Sequence, residues 1–308
     1  MATITFYCPK CKSLCAFDDK FIARQCRCLK CGQFMLVPAE DGGKPEKLEI
    51  SYDTGEPLPG FYKAVFADSW KLFTSRQSVT GLVFIATMVI VQFFTIYLNF
   101  QIRIPMRSGG TLDIFVPFGY VMGVITWGVL FWYYAEIIES TAFDIEVLPQ
   151  VYLEGWKGFI RKAIIYAYTF FIAMLIVELP CIIAIGIFKA VGIEMKWPLY
   201  VLAMLGLFLF PMAVLTISIG RDIIMLARVD QFFEPIVKAF WPYFVLVALL
   251  IITWQLQWIA VDYGEVGEKG EMIVLLHLLA DIGIQALAIV TMRAIGIFHR
   301  HYKCYLKW

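Results

Sequence analysis

Histidine is scarce in this chain: only His277, His299 and His301 occur in 308 residues. That leaves little material for imidazole-based acid–base or nucleophilic chemistry. The sequence also lacks His-Glu-x-x-His, Gly-x-Ser-x-Gly, a glycine-rich phosphate loop and a second metal-ligand set. No catalytic constellation can be assembled, so the expectation is a protein that is not an enzyme. Charge is sparse as well, at 17% of residues with a formal net charge of +1. Residues 1–78 hold eleven Lys/Arg against nine Asp/Glu. No segment carries the basic excess of a nucleic-acid binder, so nucleic acid is not expected as a partner. Met1 to Lys20 has no apolar core, so no cleavable signal peptide is expected and the first membrane helix should direct insertion.

What is abundant is apolar. Hydrophobic residues make up 60% of the chain and aromatics 16%, with a mean hydropathy of +0.74. A soluble domain has about 45–50% apolar residues. Six apolar stretches, near Thr80–Phe100, Ile114–Tyr134, Ala163–Phe188, Pro198–Gly220, Tyr243–Asp262 and Met272–Phe298, are long enough to cross about 30 Å of hydrocarbon. The sequence therefore predicts an all-α polytopic membrane protein with the lipid bilayer as its main contact.

Lys and Arg number eleven before the first stretch, then two, three, two, three and one in successive loops, and four in the tail, with none assigned mid-span. A cytoplasmic N-terminus puts twenty-one of them inside and five outside, which obeys the positive-inside rule. Both termini are expected in the cytoplasm; a C-terminal reporter active only outside the cytoplasm would contradict this topology.

Trp70-x-x-Phe73, Trp156-x-x-Phe159 and Trp241-x-x-Phe244 recur at intervals of 86 and 85 residues, each just ahead of an odd-numbered stretch. Helical apolar spacing around them predicts amphipathic interfacial helices near 61–78, 148–162 and 229–241. Tryptophan's preference for membrane interfaces is an equally good explanation of the recurrence.

Six of the eight cysteines fall between residues 8 and 31. Cys8-Pro9-Lys10-Cys11 and Cys28-Leu29-Lys30-Cys31 are two Cys-x-x-Cys knuckles sixteen residues apart, spaced for one tetrahedral Zn2+. Four thiolates form a closed shell with no open position, so the metal's role would be structural; iron is the alternative. Such clustering suits a reducing compartment. Short alternating segments around the knuckles predict a small β zinc ribbon over residues 1–38, too small to fold without its metal. Residues 39–60, acidic and rich in Gly and Pro, read as a flexible linker ahead of a membrane domain at 61–308. Cys15 and Cys26 are read as small packing residues rather than spare ligands.

Acids are costly within a membrane, and Glu178 and Asp281 lie deep in the third and sixth stretches. His277, Asp281 and Gln285 share one helix face at i, i+4 and i+8. An intramembrane ion or proton site built on Glu178, His277, Asp281 and Gln285 is one reading; a helix-packing hydrogen-bond cluster is the favoured one. His299-Arg300-His301 is expected to be a solvated, headgroup-facing basic end.

Ile4-x-Phe6-x-Cys8-Pro9-x-Cys11 through Cys28-x-x-Cys31-x-x-Phe34-x-Leu36-Val37-Pro38 resembles the rubredoxin-like zinc-ribbon fingers at the N-termini of many bacterial proteins. That resemblance implies zinc held by Cys8, Cys11, Cys28 and Cys31 and a bacterial inner-membrane location. Residues 60–308, especially Phe210-Pro211-Met212-Ala213 and Met292 to Arg300, resemble a bacterial multi-helix membrane family distantly similar to Yip-type proteins. It implies an all-helical membrane fold and an organising or accessory role. The functional expectation is a non-enzymatic accessory or scaffold subunit whose ribbon meets a protein partner; a transporter or channel using the acidic site is the alternative.

Overall fold

The computed structural model describes residues 3–8, 12, 14–18, 25–27, 34–36, 38, 55–95, 98–105, 111–151, 155–191, 197–220, 226, 230–260 and 270–306. The chain divides into two compact units, Met1–Asp53 and Thr54–Trp308.

The first unit holds two antiparallel hairpins: β1 (Thr3–Tyr7) pairs with β2 (Leu14–Asp18), and β3 (Gln25–Arg27) with β4 (Phe34–Leu36). Strand periodicity fixes what faces inward. Ile4 and Phe6 of β1 and Cys8 just beyond it are buried, whereas Tyr7 is exposed. Cys15 lies opposite Phe6 in the register and is buried with it; Cys26 pairs with Met35.

The second unit is mostly helical, and its described residues include six helices long and apolar enough to cross a membrane. They are Val79–Thr95, Phe118–Ala142, Gly155–Val191, Trp197–Gly220, Phe240–Ala260 and Glu271–Tyr302, called spans one to six below. This is a multi-pass membrane protein. Span two is the hub: it packs against spans one, three, four and six, while span five closes on spans four and six.

Without a hydrophobic drive between helices in lipid, close packing depends on small residues that let backbones approach. Gly128 of span two faces the Ala163 carbonyl of span three, and Gly296 of span six faces the Ile138 carbonyl and Thr141 of span two. Gly81 of span one accommodates the Tyr133 hydroxyl, which reaches on to donate to the Pro149 carbonyl at 2.9 Å.

Three local features differ from the sequence expectation. Between spans one and two lies a hairpin, β5 (Phe100–Pro105) with β6 (Thr111–Val116), whose register sets Arg103 opposite Asp113. Ile114, Phe115 and Val116, read as the start of span two, belong to β6: their alternation and ladder pairing take them ahead of Pro117, where the helix begins. Next, residues 155–162 do not form a separate interfacial helix. No proline interrupts them, and they run straight into a 37-residue span three, about 55 Å long at 1.5 Å per residue.

Finally, the two histidines at the C-terminal end of span six are not solvated. His299 and His301 are buried while Arg300 stays half-exposed beside Asp144, and the segment ahead of span one lies against His301. Leu58 N–H donates to the His301 carbonyl at 3.0 Å, His301 Nδ1–H donates to the Leu58 carbonyl at 2.9 Å, and the Phe61 ring meets Phe298, His301 and Tyr302 edge-on. A helix C-terminal carbonyl that would otherwise need water is thereby satisfied.

The short helical turns of 61–74 bury Phe61, Val65 and Leu72, and Asp230–Lys238 buries Ile236. The three recurring tryptophans, Trp70, Trp156 and Trp241, are all largely exposed, as interface anchors would be.

Candidate functional site

Of the four cysteines assigned to zinc, Cys8 is described and Cys11, Cys28 and Cys31 lie outside the described residues. Cys8 ends the inward face of β1 and is 1% exposed. Its carbonyl accepts from Lys12 N–H at 2.9 Å, and Lys12 takes a left-handed conformation with φ 56°. The first knuckle belongs to the connection between β1 and β2, the second to that between β3 and β4.

Within the membrane unit, one of the four polar residues singled out by sequence lies on span three and the other three on span six. Glu178 of span three is half-buried with its carboxylate against Gly206 of span four; a Cβ there would stand 2.4 Å from Oε1. Span six packs mainly on spans two and five and also touches spans one and four. Asp281 is buried, and its Oδ1 has no hydrogen-bond partner. His277 precedes it by one turn and is half-buried.

Gln285 is the connected member of the stripe. Its Oε1 accepts a short hydrogen bond from the Tyr134 hydroxyl of span two, and its Nε2 donates to Gln257 Oε1 of span five at 2.9 Å. One turn and more toward the C-terminal end of span six, the Thr253 and Thr291 hydroxyls approach to 3.0 Å. Tyr134, Gln257, Thr253 and Thr291 were not foreseen as site residues. A search for intramembrane acids passes over them, although Gln257 within the otherwise apolar Phe240–Ala260 was the visible clue.

Arg293 corrects the charge assignment. Counted with the tail, it in fact lies inside the span-six helix, 6% exposed, well before the helix ends at Tyr302. Its Nη1 donates to the Glu146 carbonyl at 3.3 Å, while its Nε has no partner. A buried arginine is tolerated because it lies toward the end where the Asp68 and Glu146 carboxylates are within electrostatic range. Outside the spans, Asp68 is held below the usual carboxylate range, first by its hydrogen bond from Lys71 at 2.6 Å.

No protein-family model, curated protein or solved structure matches this chain.

Proposed function

We propose that the protein is a non-enzymatic accessory or scaffold subunit of the bacterial inner membrane, whose cytoplasmic N-terminal zinc ribbon receives a protein partner. The observation carrying this reading is the separate compact unit at Met1–Asp53, in which each Cys-x-x-Cys pair falls in a hairpin connection and Cys8 is buried beside a left-handed turn. Cys8, Cys11, Cys28 and Cys31 would hold Zn2+ as a closed tetrahedral shell, which stabilises the fold and leaves no position for substrate. Recognition is then the function left to a near-neutral module on a linker. Both termini are assigned to the cytoplasm on the distribution of basic residues.

In-cell crosslinking followed by purification tests this. A partner crosslinked to the full chain is expected to be lost in a Cys28→Ser/Cys31→Ser variant that still accumulates in the membrane. Retention of the same partner would place recognition elsewhere.

A transporter or channel drawing on Glu178, His277, Asp281 and Gln285 is favoured by one observation, the unpartnered Oδ1 of buried Asp281. It is the weaker reading. Glu178 lies against Gly206 of span four, and the Gln285 amide, one turn beyond Asp281, already joins Tyr134 to Gln257 as interhelical glue.

A further inference from the structure

A cavity of about 670 Å³ opens among spans two to six. That volume falls in the range of small-molecule sites, about 300–1,000 Å³. One wall is a continuous run of rings. Phe131 stacks on Phe170 at 4.1 Å, Phe170 meets Phe210 edge-on at 5.7 Å, and Phe210 meets Trp254 at 6.4 Å. Interlocked rings from four different spans hold the space open without a ligand.

The inner end is closed by buried Leu250, Ala288, Thr291 and Met292. The exposed lining residues are Met174 of span three and Trp254 and Trp258 of span five, and these mark the mouth. Among the described residues spans three and five share no extensive packing, and both are apolar enough to cross a membrane, so a mouth between them would open toward lipid.

The lining contains no Asp, Glu, Lys, Arg or His. A charged head group would therefore enter without a counter-charge in a low-dielectric setting, at heavy cost. The polar groups present are arranged in one strip. Tyr134 donates to Gln285 and Gln285 donates to Gln257, so the chain of donation ends at the Gln257 amide. The Gln257 nitrogen carries two hydrogens and makes no hydrogen bond among the described residues. It is left to donate into the cavity near the mouth.

We propose that this cavity is a binding site for a single neutral lipid, whose apolar chain lies along the ring wall and whose carbonyl or hydroxyl oxygen accepts from the Gln257 amide. The chemistry asks for an uncharged head, a hydrogen-bond acceptor and lateral entry from the bilayer.

The test uses the full-length protein in phosphatidylcholine vesicles with two photoreactive probes of the same diazirine-bearing acyl chain, one a monoacylglycerol and the other a free fatty acid. The monoacylglycerol is expected to label the peptides carrying Met174, Trp254 and Trp258 saturably, with competition by unlabelled monoacylglycerol. The ionised fatty acid should label them about tenfold less. Ala288→Phe, which fills the closed end, should cut saturable labelling about tenfold. Gln257→Leu also removes the acceptor of Gln285 Nε2, so its melting temperature in detergent is measured alongside; in folded protein it should cut saturable labelling about fivefold through the lost hydrogen bond. Labelling that fails to saturate and spreads over the exposed face of span three would overturn the proposal. So would equal labelling by both probes, or labelling indifferent to Gln257→Leu.

Discussion

Gly128→Ala is expected to destabilise the membrane unit by about 3 kcal/mol or more, enough to deplete folded protein from the membrane. A Cβ built on Gly128 would stand 2.1 Å from the Ala163 carbonyl oxygen, 2.8 Å from its carbon and 3.1 Å from the Ala167 Cβ. The first two of these are backbone atoms of span three, so no rotamer change relieves the overlap and the two helices must separate. Separation would pull apart the crossing of spans two and three, including the stacked Phe131–Phe170 pair. Gly283→Ala on span six is the control, because nothing lies within 4 Å of its added methyl and alanine is the better helix former by about 1 kcal/mol. Thermal unfolding in detergent should show a large loss for Gly128→Ala and no loss for Gly283→Ala. Similar melting of both would mean that spans two and three do not cross at Gly128.

The second large effect belongs to the proposed zinc. Structural zinc binding in small cysteine modules contributes about 10–16 kcal/mol to folding at neutral pH. The two short hairpins of Met1–Asp53 cannot replace that by burying a few side chains such as Ile4, Phe6 and Met35. Cys8→Ser should therefore unfold the first unit while Thr54–Trp308 retains its helical content. Limited proteolysis reads this directly: cleavage within residues 3–36 should appear in Cys8→Ser and in chelator-treated wild type, whereas the membrane fragment persists. Acid should act in the same direction, since protonating the thiolates competes with the metal. A first unit as protease-resistant in Cys8→Ser as in wild type would show that its hairpins stand without Cys8 as a ligand.

The membrane unit was legible where a property is carried by many residues at once. Six helices of membrane length follow from hydropathy summed over long windows, and single errors average out. Features resting on one or two residues were not. Ile114-Phe115-Val116 has the same hydropathy in a strand as in a helix, and only the pairing with β5 decides. His299 and His301 look solvated in a basic tail, until a distant Leu58 pairs with His301 across the helix end. Arg293 hides among apolar neighbours because its partner is a backbone carbonyl, that of Glu146, which no side-chain pattern reports.

The intramembrane site shows the same limit. The acids were found because charge in lipid is conspicuous, and Glu178 lies against Gly206 of span four while Asp281 Oδ1 has no hydrogen-bond partner. The polar connection runs instead through neutral Tyr134, Gln257 and Gln285 from three spans, whose meeting depends on helix rotation and register. Periodicity along one helix placed Gln285 on the right face but could not supply its partners.

The zinc site proposed for the N-terminus is tested most directly by X-ray absorption at the zinc edge, together with metal analysis, on the purified full-length protein. The expected result is one zinc per chain in a shell of four sulfurs at about 2.3 Å, lost on replacing Cys28 and Cys31 by Ser. A chain purified without zinc, or a metal shell that includes nitrogen or oxygen ligands, would contradict the assignment of Cys8, Cys11, Cys28 and Cys31.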